Sequence, residues 1–258
     1  MSQGATLFEL KQVRREFGSF PALVNINLRI EAGERVALVG SSGAGKSTLL
    51  SLLNGMLLSS QGEVWVLGRD LARLSTPRLA QVQRQIGIVH QQLQLVDSLR
   101  VIHNVNAGHL GRWSFFKAAM SLIYPLEVET AAQALAQVGI PEKLYARTDQ
   151  LSGGEQQRVA LARVLVQDPL AILADEPISS LDRELSREVM DLLQQQCEKA
   201  GKTLVISLHS LEFARSHCDR MIGLRQGKVA FDAPVEAVSE EMIADLYRLD
   251  TYDSNASH

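Results

Sequence analysis

Between residues 22 and 30, Ala22, Val24, Ile26, Leu28 and Ile30 alternate with Leu23, Asn25, Asn27 and Arg29. Strand side chains point to opposite faces in turn, so this spacing predicts an antiparallel strand with one covered and one solvated side. Residues 6–17 read the same way, and Glu31-Ala32-Gly33-Glu34 turns the chain into the short apolar run 35–39. A Leu-rich helix then opens near Leu49-Leu50, and residues 62–68, bounded by glycines, form another strand. Pro77 suits the first turn of a helix reaching about Gln83, and 86–89 is a buried strand. From 93 to 167 β-branched runs thin out and helical spacing takes over, with Ala131, Leu135 and Val138 on one face. Residues 170–174 return to a continuous apolar run, the mark of a parallel strand covered on both sides. A helix with Leu185, Val189, Leu192, Leu193 and Gln196 on its inner stripe ends near Gly201. Strands at 203–207, 221–224 and 228–231 and a helix at 240–249 precede a polar tail. The pattern predicts a single α/β domain over 1–258. Residues 1–92 and 168–258 supply a mostly parallel sheet with an antiparallel β part, and 93–167 an inserted helical subdomain.

Composition narrows this little. With 258 residues the chain can bury a full core, and a net charge of -3 gives no bulk attraction for nucleic acid. Cys197 and Cys218 lack metal-ligand spacing and read as free thiols, with a disulfide the lesser alternative. No secretory signal is visible, and no apolar run approaches the ~20 residues that span a bilayer. The aromatic-rich stretch from Trp113 to Tyr124 comes nearest, interrupted by Lys117 and closed by Pro125.

The chemistry starts at Gly40-Ser41-Ser42-Gly43-Ala44-Gly45-Lys46-Ser47-Thr48, between an apolar strand and a Leu-rich helix. Glycines let such a loop turn its N–H groups inward, and the helix start adds unpaired donors and partial positive charge. Lys46 would reach the β- and γ-phosphates of a nucleoside triphosphate and the Ser47 hydroxyl would ligate Mg²⁺. Asp175 and Glu176 end the second buried strand, where open parallel sheets present their ligands. Asp175 is placed to hold Mg²⁺ through its water shell and Glu176 to act as general base on the attacking water, unless both merely cap the next loop. Leu151-Ser152-Gly153-Gly154-Glu155 opens a helix and offers a second anion site; taken alone it is an ordinary cap.

The phosphate loop, the Leu-Ser-Gly-Gly motif, the strand ending Asp175-Glu176 and the His of Ser207-Leu208-His209 follow one another in the order of ABC-transporter ATPases, which this chain resembles over essentially its whole length. The resemblance implies a RecA-like core. It also implies a head-to-tail homodimer in which ATP and Mg²⁺ lie between the phosphate loop of one copy and Ser152, Gly153 and Gly154 of the other. It assigns Phe17 to stacking on adenine, with Phe20 as the alternative, unless either is simply core. Gln91, with Gln92 its nearest confusion, is assigned to Mg²⁺ and the attacking water, and His209 to the γ-phosphate. The loop Ser179-Ser180-Leu181-Asp182 is assigned to sensing the opposite site. Arg183 stands where many relatives have proline, Glu155 where many have glutamine, and His90 where an aromatic is commoner.

Residues 104–112 and 218–232, and Leu173-Ala174-Asp175-Glu176-Pro177, resemble ATPases of phosphonate and phosphite importers. The kinship implies a peripheral subunit on the cytoplasmic face of the inner membrane, bound to integral permease subunits and acting indirectly with a periplasmic substrate-binding protein, with no nucleic-acid partner. Leu95, Val96, Leu99, Val101 and Ile102 would line a groove for a short permease helix, or serve as subdomain core. An amino-acid or lipoprotein-release system, a non-transport ATPase of the same superfamily and a catalytically silent nucleotide-binding module remain open.

Overall fold

Two long strands, β1 (Thr6–Phe17) and β2 (Phe20–Glu31), form an antiparallel hairpin closed by the pair Phe17↔Phe20. The computed structural model describes residues 4–179 and 181–248. After β2 the chain runs through β3 (Arg35–Val39), α1 (Lys46–Leu53), β4 (Gln61–Val66), β5 (Arg69–Asp70), α2 (Thr76–Gln83) and β6 (Ile86–Val89). Only helices follow until the sheet resumes: α3 (Val101–Asn106), α4 (Phe115–Ile123), α5 (Val128–Gln137) and α6 (Gly153–Gln167), with short 3₁₀ turns between them. The chain then forms β7 (Ala171–Asp175), α7 (Arg183–Ala200), β8 (Thr203–Ser207), α8 (Leu211–His217), β9 (Arg220–Arg225), β10 (Lys228–Pro234) and α9 (Glu240–Tyr247). The end of the last expected helix and the polar tail fall outside the described residues.

β2, β1, β4 and β5 make one antiparallel sheet, while the second sheet has the order β10-β9-β3-β8-β7-β6. Strands β9, β3, β8, β7 and β6 are parallel, and β10 is an antiparallel edge. Both faces of this sheet are covered, so alternate residues enter different cores. Val36, Leu38, Leu173 and Val205 face α1 and the antiparallel sheet. Ala37, Val39, Ala174 and Ile206 face the helices on the other side.

Two readings of the pattern are corrected. The alternation in β2 holds from Ile26 to Ile30 but fails at Leu23, which is fully buried. The register slips between Val13↔Ile26 and Arg15↔Leu23, and Asn25 takes a φ of +53°, so the strand kinks and Leu23 turns inward. On α7 the buried stripe is Ser186, Val189, Met190, Leu193 and Cys197. Leu185 and Leu192 lie on its margin, where helices of the 93–167 region cross: a Cβ on Gly154 would meet Leu185, and Leu192 shares a cavity with Ala136 and Leu161. The two thiols are free and buried, each pKa pushed up to about 12 by desolvation. Among the described residues no helix is long and apolar enough to cross a membrane.

Candidate nucleotide site

The loop after β3 can be built only without side chains at two of its glycines. Gly40 has a φ of +147°, and a Cβ there would lie 2.1 Å from the carbonyl oxygen of Leu224 on neighbouring β9. Gly45 has a φ of +106° and a Cβ would lie 2.8 Å from the Ala22 oxygen and Leu23 Cδ2. Gly45 is also the N-cap of α1 and offers no side chain, so the N–H groups of the first helical turn have no intrahelical partner and are free for an anion. Lys46 is nearly buried, and its Nζ donates to the carbonyls of Gly40 at 2.8 Å and Ser41 at 3.2 Å. Burial holds its pKa below the usual lysine value, and the carboxylates of Glu176 and Asp175 partly restore it.

In front of the loop lies a cleft of about 400 Å³ lined by Phe17, Phe20, Ala22, Ser42, Gly43, Gly45, Lys46, Ser47, Thr48, Gln91 and Glu176. Phe17 and Phe20 form its aromatic wall and neither is core: 46% and 62% of their surfaces are exposed. The Arg15 guanidinium sits 4.7 Å from the centroid of the Phe17 ring, which covers that ring from one side.

The sheet order brings the acidic end of the site together. β6, β7 and β8 are neighbours, and Gln91, Asp175, Glu176 and His209 all lie at or just beyond their C-terminal ends. Glu176 Oε1 is 2.6 Å from His209 Nε2, and Glu176 Oε2 accepts from Gln91 Nε2 at 3.1 Å. The carboxylate is thus held from two sides. Its backbone has a φ of +48°, an unusual conformation for a non-glycine residue. The Glu176 N–H donates to Ser207 Oγ at 2.8 Å, and that hydroxyl donates to Asp175 Oδ1 at 2.7 Å. Fully buried Ser207 therefore orients both acids, a role that sequence reasoning missed; the available signal was a hydroxyl at the end of the apolar run 203–207.

Arg163 was missed as well. From within α6 its guanidinium donates to the carbonyls of Leu93 and Gln94, each at 2.9 Å. It ties the helix that begins at Ser152 to the segment that follows Gln91.

Ser152, Gly153, Gly154 and Asp182 are not among the described residues that line the cleft. Ser152 caps α6: its Oγ accepts from the Glu155 N–H at 3.3 Å, while Glu155 Oε2 accepts from the Ser152 N–H at 2.8 Å. The Glu155 carboxylate also pairs with Lys143 at 2.8 Å, which, with the Ser152 backbone bond, holds its pKa below the usual range. A glutamine could keep the cap but not the ion pair. Asp182 caps α7 by accepting from the Leu185 N–H at 2.9 Å, Ser179 Oγ donates to the Glu176 carbonyl at 3.1 Å, and Ser180 lies outside the described residues. Arg183 pairs with Glu212 at the start of α8.

Among the described residues no group of three His, Cys, Asp or Glu side chains could cage a metal ion. Magnesium needs no such cage, since it keeps several waters and binds through one or two protein oxygens plus phosphates. The donor set fits that chemistry: the Ser47 hydroxyl in the cleft, the Asp175 carboxylate, and Gln91, whose NH₂ is turned to Glu176 so that its amide oxygen is the atom left for a cation.

A lysine-bearing glycine loop, a carboxylate poised opposite it and a capped glycine helix elsewhere on the same chain define a nucleotide-binding cassette. The chain belongs to the ABC transporter family, whose profile matches residues 23–179. It is 43% identical over 235 residues to the phosphonates import ATP-binding protein PhnC of Pseudomonas fluorescens (strain Pf0-1), covering 91% of this chain and 89% of the other. The protein of the same name from Bacillus thuringiensis subsp. konkukian (strain 97-27) is 43% identical over 225 residues, covering 87% and 88%. Among solved structures, a dimeric bacterial ABC transporter cassette superposes with a TM-score of 0.79 at 31% identity, covering 89% of this chain and 99% of that one. A dimeric post-hydrolysis state of an ATP-binding cassette, bound to ADP and Pi, gives a TM-score of 0.77 at 32% identity with the same coverage.

Proposed function

We propose that this chain is the ATP-hydrolysing subunit of an importer for phosphonate, phosphite or a related oxyanion. It works as a homodimer on the cytoplasmic face of the inner membrane, coupled to separate permease subunits and through them to a periplasmic binding protein. The observation that carries the catalytic part is the Glu176 carboxylate, held between Gln91 and His209 at the mouth of the Lys46 cleft. The oxyanion rests on the names of the relatives, since nothing in the nucleotide cleft would meet the cargo.

In this reading ATP enters with its base against Phe17 or Phe20. Lys46 exchanges the carbonyls of Gly40 and Ser41 for the β- and γ-phosphates. Bound Mg²⁺, held by Ser47, Asp175 and Gln91, would neutralise phosphate charge. Glu176 accepts a proton from the attacking water, Gln91 orients that water, and His209 fixes the carboxylate and reaches the γ-phosphate. Ser152, Gly153 and Gly154 close the site of the other copy, with Asp182 at the dimer contact. Residues 93–167 move as one helical subdomain against the core formed by 1–92 and 168–258, which passes the closure to the permease.

The test is reconstitution of the chain in vesicles with its candidate permease and binding protein. Phosphonate-loaded binding protein is expected to raise ATP hydrolysis. Stimulation by an amino acid instead, or no response to any loaded binding protein, would replace the oxyanion assignment.

Ser152→Asp separates the two roles of the helix tip. Aspartate is as good an N-cap as serine, so α6 stays formed, but it sets an anion against the partner's γ-phosphate. Hydrolysis is expected to fall by about 10–100-fold, the worth of a hydrogen bond to a charged group, with nucleotide binding by the isolated chain unchanged. Full activity would leave Ser152 as a cap alone.

A further inference from the structure

The region between α3 and α5 carries an apolar face that the nucleotide site does not use. Phe115 and Phe116 at the start of α4 are 85% and 83% exposed, and Met120 and Tyr124 are 52% and 66% exposed. Residues 116, 120 and 124 are four apart, so they form one stripe, with Phe115 beside it. The opposite side of α4 is already committed: Ser121 is buried, its carbonyl lies 2.9 Å from His103 Nδ1, and its hydroxyl donates to Ala118. The stripe therefore belongs to something outside the chain.

Charge says what. Between Asp97 and Glu127 there is no acidic residue, while Arg100, Arg112 and Lys117 lie in that interval, in a chain whose net charge is -3. Lys117 pairs with Glu127 at its end and lies 5.0 Å from the ring centroid of Trp113. Arg112, just before α4, lines a groove of about 480 Å³ together with Arg69 and Arg84, and its guanidinium donates to the carbonyls of Val166 and Gln167. The acid in that groove, Asp168, is paired with Lys202 at 2.7 Å. A short helix with exposed aromatic residues and basic neighbours matches the surface of an anionic bilayer. A second copy seated on this face by twofold symmetry would set the same arginines against one another, a like-charge arrangement that opposes pairing.

We propose that α4 rests on the anionic lipid surface, with Phe115, Phe116, Met120 and Tyr124 entering the boundary between headgroups and acyl chains, and Arg69 and Arg84 facing lipid phosphates. This deepens the peripheral placement proposed above by giving the subunit a lipid contact of its own, beside any contact with a permease. It also places the helical region, rather than the core, at the membrane.

The test is flotation of the full chain with phosphatidylcholine vesicles, with and without phosphatidylglycerol. Wild-type protein is expected to float with the anionic vesicles, and less as salt is raised. The double variant Phe115→Ser/Phe116→Ser is expected to lose about tenfold or more of that binding while keeping its ATPase activity, since both rings are exposed and removed from the cleft. Lys117→Glu is expected to lose about fivefold. Absence of wild-type binding, or equal binding by the double variant, overturns the proposal. If the double variant fails to co-purify with the permease and no vesicle binds the wild type, α4 is a protein-docking face: the lipid contact falls and the transporter assignment stands. A wild-type oligomer that the double variant disperses overturns it in favour of self-association.

Discussion

Glu176→Gln is expected to lower ATP hydrolysis by about 10²–10⁴-fold and to leave nucleotide binding intact. The carboxamide keeps the length and shape of the side chain and can still accept from Gln91 Nε2 through its oxygen. It cannot take up a proton from water. The positive φ at 176 is no worse for glutamine than for glutamate, so the turn after β7 survives. Nucleotide should then be trapped in a closed dimer that forms but does not turn over. Single-turnover kinetics and size-exclusion chromatography with ATP and Mg²⁺ check both halves. Wild-type turnover in this variant would take the general-base role from Glu176.

Gly40→Ala should damage the protein at a different level. A methyl group 2.1 Å from the Leu224 carbonyl oxygen lies inside van der Waals contact; that oxygen is backbone of β9, and the Cβ is fixed to the backbone just past β3, which pairs with β9 at Val39↔Gly223. No side chain can swing aside. The strain at φ +147° adds to the collision. A stability loss of about 3 kcal/mol or more is expected, with nucleotide affinity reduced by about 100-fold or more as the loop is pushed off β9. Gly43→Ala is the control: its φ is +79° but a Cβ there meets nothing within 4 Å. That variant should lose only about 1 kcal/mol, the cost of a left-handed alanine. Chemical denaturation and fluorescent-nucleotide titration rank the two. Equal tolerance of both would show that the close approach to β9 is not what requires glycine at 40.

The phosphate loop was readable because its requirement is local: three glycines, a lysine and a hydroxyl within the eight positions 40–47, between a strand and a helix. The convergence of Gln91, Glu176 and His209 is of another kind. These residues lie on three chain segments that become neighbours only because β6, β7 and β8 are adjacent in the sheet, and strand order is not written in the spacing of apolar residues. Resemblance to a family supplied that step. Leu23 was misassigned because one irregular residue reverses the sense of alternation, and Asn25, a residue type that tolerates positive φ, is by itself too weak a signal to announce the bulge. The inner stripe of α7 was placed on its margin because two surfaces bury that helix, the sheet through Met190 and Leu193 and the inserted helices through Leu185 and Leu192, and one apolar arc cannot show where each begins. Phe115 and Phe116 read as an interrupted apolar run; that they face outward follows from Ser121 facing inward, a tertiary contact that spacing does not encode.

The two hydrogen bonds from Arg163 to Leu93 and Gln94 make α6 and the Gln91 segment a single part. In a head-to-tail pair, the tip of that helix would touch one triphosphate while Gln91, tethered to the same helix, would touch the other. Tightening around either nucleotide would therefore be felt at both by leverage through the protein, with no signal needed across the gap between copies. In the dimer proposed above, two such arms crossing would make firing at one pocket alone hard to arrange, and a pair loaded on one side only would be held half open by its empty neighbour.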